Sequence, residues 1–126
     1  MDAMQHATKF LDWQKFAKEV RSRSDVILYY SFQDQHTQSR TVLNESINDN
    51  TGLDGAIVGA LWTEGRWPQK KALNFSSTGD RIRLNIPGEY RAMTFSCWVK
   101  IQSFDRWLSS LILTDDFDSN ELHWQL

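Results

Sequence analysis

The sequence lacks several features that would assign it to a well-defined class of protein. Cys97 is the only cysteine, so the chain offers neither a disulfide framework nor a cluster of thiolates for a metal. No apolar run approaches the ~18 residues that a membrane span needs, and no hydrophobic signal-peptide core is visible. The net charge of -2 leaves no basic surplus for nucleic acid. We therefore expect neither a membrane span nor a nucleic-acid partner.

Aromatic residues, by contrast, are abundant. The chain of 126 residues contains six tryptophans and seven phenylalanines, which suit a sheet-rich core or a surface that stacks on sugars. A hydrophobic fraction of 40% and a charged fraction of 24% argue against disorder. This length corresponds to one domain or to part of one.

The N-terminal residues have the spacing of an amphipathic helix. Apolar side chains recur every three or four residues and gather on one face; they are Phe10, Trp13, Phe16, Ala17 and Val20. Residues 22–25 break this pattern. We predict a linker helix within residues 1–24 that docks on the rest of the chain through Trp13.

From residue 26 onward the pattern changes to that of β-strands. Residues 26–32 (VILYYSF) predict a strong strand because they are β-branched and aromatic. Shorter strand candidates follow, with turn-rich segments between them; they are residues 41–46, 55–62, 71–75, 81–86, 93–101 and 122–126. Short strands at this spacing predict an all-β antiparallel sandwich over residues 25–126.

Residues 93–101 (MTFSCWVKI) alternate strictly between two faces. Met93, Phe95, Cys97, Val99 and Ile101 share one face, which we expect to lie in the core. Cys97 is accordingly interpreted as a small buried side chain rather than a reactive thiol.

The order of these segments resembles a known family. VILYYSFQD, LDGAIVGALWTEGRWPQKKALNF, GDRIRLNIPGEY and MTFSCWVKI follow one another as in the laminin G-like, concanavalin A-like jelly-roll domains of bacterial proteins. The likeness covers about residues 26–101, and residues 110–126 continue it. It implies an antiparallel jelly-roll sandwich preceded by one helix.

A narrower likeness is to bacterial FecR-type regulators, in which a basic amphipathic helix similar to KFLDWQKFAKEVRSRSD leads into such a jelly roll. By this resemblance the jelly roll is incomplete, and its open sheet edge would be covered by the helix, by a second copy of the chain or by further sequence. The resemblance implies a non-catalytic recognition module that binds carbohydrate or protein at the cell surface or in the periplasm. It leaves open a structural or regulatory accessory domain with no ligand of its own.

The same superfamily includes glucanases, which place their carboxylates on one strand as Glu-x-Asp-x-(x)-Glu. That spacing points the carboxylates to one face, where they flank the scissile bond. The sequence contains no such run, so we predict that the chain is not an enzyme.

Acidic residues mark two candidate sites for Ca²⁺, which laminin G-like folds often carry on a loop rim. Hard cations prefer carboxylate and carbonyl oxygens. The candidates are an acidic loop and a turn residue, namely Asp115, Asp116 and Asp118 in the loop and Asp80 in the turn. The alternatives are a solvated polar loop and a turn-capping side chain. We expect that the chain requires no cofactor, although Ca²⁺ binding is possible.

Tryptophans are the candidate ligand-binding residues. If the face that carries Trp98 is open, Trp98 would form a sugar-stacking floor with Trp62, Trp67 or Trp124. The alternative is that a second sheet or the N-terminal helix buries Trp98.

Overall fold

The computed structural model describes residues 2–33, 39–48, 52–103 and 110–113. Its elements are α1 (Ala3–Arg21), β1 (Thr41–Val42), β2 (Gly55–Val58), β3 (Leu61–Glu64), β4 (Lys71–Asn74) and β5 (Arg81–Arg83). The chain divides into two compact units, Met1–Glu89 and Tyr90–Leu126, and these six elements belong to the first. A helix that leads into short antiparallel strands confirms the coarse prediction for the fold.

Helix α1 buries most of the face that its sequence predicts. Ala17 is buried, and Phe10, Trp13 and Val20 are half-buried, with the rings of Phe10 and Trp13 stacked at 5.6 Å between centroids. Phe16 is 63% exposed, so its assignment to this face was wrong. Its Cα lies about 100° around the helix from that of Ala17, which turns the ring towards water. No helix within the described ranges combines the length and apolar character needed to cross a membrane.

The strands form two small antiparallel sheets. One sheet has the order β1-β2-β5, and the other is the hairpin β3-β4. The buried side chains of Val42, Ile57 and Ala60 form a core cluster, and partly buried neighbours surround it: Tyr30, Phe32, Trp62, Leu73 and Ile82. In the three-stranded sheet Ile57 lies opposite Ile82, so pairing of β2 with β5 brings apolar side chains together.

Residues 26–32 form no strand, contrary to the prediction from their composition. A side-chain amide satisfies part of their backbone instead. Asn44 Oδ1 accepts the N–H of Tyr29 at 2.8 Å, and Asn44 Nδ2 donates to the carbonyl of Ile27 at 3.2 Å. β-branched and aromatic composition favours an extended chain but does not specify which groups bond to its backbone.

Two further polar side chains hold the start of this segment. Ser46 Oγ donates to the carbonyl of Val26. Asn48 Nδ2 lies 3.1 Å from the carbonyl oxygens of Arg23 and Val26, and 3.0 Å from that of Ser24. The turn that follows α1 is therefore closed by side chains from a later loop.

Residues 93–101 also form no strand, and the side chains predicted to lie in the core are exposed. Cys97, interpreted from the sequence as buried, is exposed as well. Alternating apolar residues become buried only when a neighbouring strand or layer covers them.

Substitution of Asn44 tests whether the amide holds residues 26–32. Asn44 is 7% exposed, and Asn44→Ala would leave the N–H of Tyr29 and the carbonyl of Ile27 without their partner. We expect a loss of about 1–3 kcal/mol in the free energy of unfolding, measured with urea. Asn74→Ala, at an exposed position of β4, is the matched control and should stay within about 0.5 kcal/mol of the parent protein. Equal losses in the two variants would contradict this role.

Candidate functional site

Trp62 lies on β3 and is half-buried against the core cluster. In the hairpin it lies opposite Leu73 of β4. Its indole N–H donates to the carbonyl of Ser39 at 2.8 Å. Packing and this hydrogen bond give Trp62 a structural role and leave little of its ring for a ligand.

Trp67 lies in the turn between β3 and β4 and is half-buried. The turn is closed by the N–H of Gly65, which donates to the carbonyl of Lys70, and by the N–H of Lys70, which donates to the carbonyl of Trp67. The guanidinium carbon of Arg66 lies over the indole, 5.1 Å from the ring centroid. A cation–π contact therefore covers one face of this ring.

Trp98 is 87% exposed, the highest value among the described tryptophans. It belongs to the second unit, whereas Trp62 and Trp67 share a hairpin of the first. Trp124 lies outside the described residues. Of the four candidate tryptophans, Trp62 and Trp67 thus belong to one hairpin of the first unit.

Asp80 caps the turn that precedes β5. Its Oδ2 accepts the N–H groups of Ser76 at 2.8 Å and Ser77 at 2.9 Å. The carboxylate also approaches Gly59, where an added Cβ would lie 2.0 Å from Asp80 Oδ1. Gly59 has a φ of 76°, so this position suits glycine both for its backbone and for the space that the carboxylate takes.

The acidic-loop candidates for Ca²⁺, Asp115, Asp116 and Asp118, lie outside the described residues. Within residues 2–33, 39–48, 52–103 and 110–113, no three His, Cys, Asp or Glu side chains are grouped so as to hold a metal. Ca²⁺ binding at Asp80 or at the acidic loop stays a prediction.

Lys70 connects three parts of the first unit, and no pattern in the sequence around it indicates this role. Its Nζ donates to the carbonyls of Ser31 at 2.5 Å and Lys71 at 2.9 Å. The same Nζ lies 4.8 Å from the ring centroid of Trp13. Helix α1, residues 26–32 and the start of β4 therefore meet at one ammonium group, and Trp13 contacts it as a docking residue of the helix.

An ion pair built on Glu45 lies near this ammonium. Arg21 Nη1 lies 2.6 Å from Glu45 Oε2, and Ser31 Oγ donates to Glu45 Oε1. Burial lowers the pKa of Lys70 to about 8, although the charge of Glu45 acts in the opposite direction. The side chains of Arg21 and Glu45 are 40% and 32% exposed, so their pairing contributes at most about 1 kcal/mol. These contacts connect the end of α1 with residues 26–32 through Glu45.

Residues 90–101, which we call the apolar segment, form a concentrated exposed apolar stretch in the second unit. Six large apolar side chains of this segment are between 42% and 87% exposed; they are Tyr90, Met93, Phe95, Trp98, Val99 and Ile101. An open depression of about 440 Å³ at one end is lined by Tyr90, Arg91, Ala92 and Met93. The alternation of residues 93–101 is the signal for this surface, but it predicted a buried face.

The lowered pKa of Lys70 predicts an unusual dependence of stability on pH. The folded chain releases this proton near pH 8 and the unfolded chain near its ordinary value of 10.5, so the unfolded state binds more protons between them. The free energy of unfolding should therefore rise with pH in this window. Burial raises the pKa of Tyr30 from 10.0 to about 12, so stability should fall again above pH 10.

Urea unfolding at a series of pH values measures this dependence, with Lys70→Met as the test variant. We expect Lys70→Met to abolish the alkaline rise. Lys71→Met removes a lysine from the neighbouring position while keeping the ammonium that contacts Trp13, and it should retain the rise. A rise that persists in Lys70→Met would show that another group titrates.

No protein-family model, no curated protein and no solved structure is significantly similar to this chain. The laminin G-like jelly roll and the FecR-type regulator therefore stay predictions from the order of its segments.

Proposed function

We propose that the chain is a non-catalytic recognition module that binds a protein through the apolar segment. The observation that supports this proposal is the exposure of six large apolar side chains within residues 90–101. Soluble proteins rarely expose large contiguous apolar patches, and those that occur often mark interaction surfaces. Tyrosine, tryptophan, phenylalanine and methionine are the residue types enriched in protein interfaces, and this segment contains all four.

Burial of the segment by a partner would provide the driving force for binding. All of residues 90–103 are exposed, so a covering surface would remove much apolar area from water. Such burial contributes roughly 25 cal/mol per Å² before the cost of association is subtracted.

Carbohydrate is the second candidate ligand, and the exposed indole of Trp98 favours it. Sugars stack on aromatic rings but also need polar groups placed to bond their hydroxyls. The other five exposed large apolar side chains of the segment suit a protein surface better. Trp62, a candidate partner for sugar stacking, already donates its N–H to Ser39.

The fold family of the module is proposed from the order of its segments. Short antiparallel strands after one helix support a laminin G-like, concanavalin A-like jelly roll, which would act at the cell surface or in the periplasm. In the alternative proposal the chain is a structural or regulatory accessory domain of a FecR-like sensor. The apolar segment would then pack against a neighbouring domain of that sensor.

A peptide-display experiment tests the recognition proposal. A random peptide library is selected on the parent protein and counter-selected on the double variant Phe95→Ser/Val99→Ser. We expect peptides that bind the parent protein at least about 10-fold more tightly than the variant, because interface anchors commonly contribute this much. Fluorescence polarisation of labelled peptides measures the affinities.

The matched control is Leu11→Ser/Phe16→Ser, which changes two exposed apolar residues of α1. This variant should bind the selected peptides like the parent protein. Binding on a glycan array that Trp98→Ala abolishes would replace protein by carbohydrate as the ligand. A library that yields no peptide specific for the parent protein, together with a silent glycan array, would overturn the recognition function.

A further inference from the structure

The ammonium of Lys70 is held by neutral groups. Its Nζ donates to the carbonyls of Ser31 and Lys71, and it lies 4.8 Å from the ring centroid of Trp13 and 6.0 Å from that of Phe32. Neither of the ion pairs found within the described ranges includes Lys70. We propose that Lys70 is a modification site, at which small activated acyl donors, acyl phosphates or acyl thioesters, acylate the side-chain nitrogen. This site is separate from the apolar segment.

Glu45 is the charged group that acts on Lys70, but its carboxylate bonds to other side chains. Arg21 Nη1 lies 2.6 Å from one of its oxygens, and Ser31 Oγ donates to the other. An ammonium that exchanges water for carbonyls and rings loses hydration without gaining a counter-ion, so burial favours the neutral amine. Accordingly, burial lowers the pKa of Lys70 to about 8, although the charge of Glu45 acts in the opposite direction.

The neutral amine is the form of lysine that attacks an acyl donor, and a desolvated lysine is activated in this way. Its lone pair forms a bond to the acyl carbon. The bond from that carbon to the phosphate oxygen or to the thiol sulfur breaks, and phosphate or thiolate leaves with the electron pair. The nitrogen releases a proton to water, so the product is a neutral amide. Lys70 is half-buried rather than enclosed, which leaves a path for a small donor.

Acylation would change the contacts that join α1 to β4. The amide keeps one N–H, so it can donate to only one of the two carbonyls that the ammonium contacts. It also loses the positive charge that attracts the ring of Trp13. The modification would therefore remove a charge that is costly to bury and would loosen the docking of the helix.

Isotope-coded acetylation of the full chain tests the proposal. The folded protein is treated at about pH 7.5 with acetyl phosphate or with a small acetyl thioester. It is then unfolded, its remaining amines are acetylated with a deuterated reagent, and mass spectrometry gives the extent of reaction at each lysine. We expect Lys70 to react at least about 5-fold faster than the exposed Lys15 and Lys18 with at least one donor, because desolvation activates its amine. The more reactive donor identifies the source of the acyl group.

The dependence on pH separates an activated amine from an accessible one. The rate at Lys70 should level off above a pH of about 8, since the amine is then neutral. A rate that is no faster than that of Lys15, or that keeps rising to pH 10, would overturn the proposal. In urea the preference for Lys70 should disappear, because it depends on the fold.

A substitution that raises the reactivity excludes a folding defect as the explanation. Glu45→Gln removes the charge that favours the ammonium, so acylation of Lys70 at pH 7.5 should become faster by about 2-fold or more, whereas unfolding would slow it. Glu19→Gln makes the same change in charge at an exposed position of α1 and should leave the rate unchanged. Equal rates in Glu45→Gln and Glu19→Gln would show that the surroundings of Lys70 do not set its reactivity.

Discussion

Every buried peptide group needs a hydrogen-bonding partner, and in the first unit a single buried amide, Asn44, meets this requirement for two neighbouring groups of residues 26–32. The contact keeps Tyr30, which lies in the same segment, against the core cluster. Tyr30 in turn donates its hydroxyl to the carbonyl of Leu53 at 2.6 Å. The arrangement of helix, segment and sheet therefore depends on polar contacts within an otherwise small apolar core.

Lys70 also joins several segments through polar contacts, but unlike the neutral amide of Asn44 it carries a charge that is costly to bury. The ammonium connects Trp13 with the carbonyls of Ser31 and Lys71, and burial lowers its pKa to about 8. The sequence presents Lys70 and Lys71 as an ordinary basic pair. Only the three-dimensional packing of α1 against residues 26–32 distinguishes them, so no local pattern could have identified the contact.

Local patterns predicted the elements whose partners lie nearby in the chain. The apolar spacing predicted α1, and the strand candidates at residues 55–62 and 71–75 overlap β2, β3 and β4, although the pairing of β3 with β4 was not predicted. Residues 26–32 and 93–101 have strong strand composition, but a strand needs a paired backbone, and composition does not name the pairing segment. Asp80, by contrast, follows the turn chemistry of its own loop, which the sequence offered as an alternative to a Ca²⁺ site.

The burial of Asn44 separates two otherwise similar motifs. Asn44-Glu45-Ser46 and Asn74-Phe75-Ser76 both match the acceptor pattern for N-linked glycans. Asn74 is exposed, whereas Asn44 is buried and its amide nitrogen donates to Ile27. A glycosylating enzyme that meets the folded chain would reach Asn74, while a sugar on Asn44 would have to be attached before folding and would occupy the space where residues 26–32 pack. The fold thus leaves Asn74 accessible in the folded chain and Asn44 accessible only before folding.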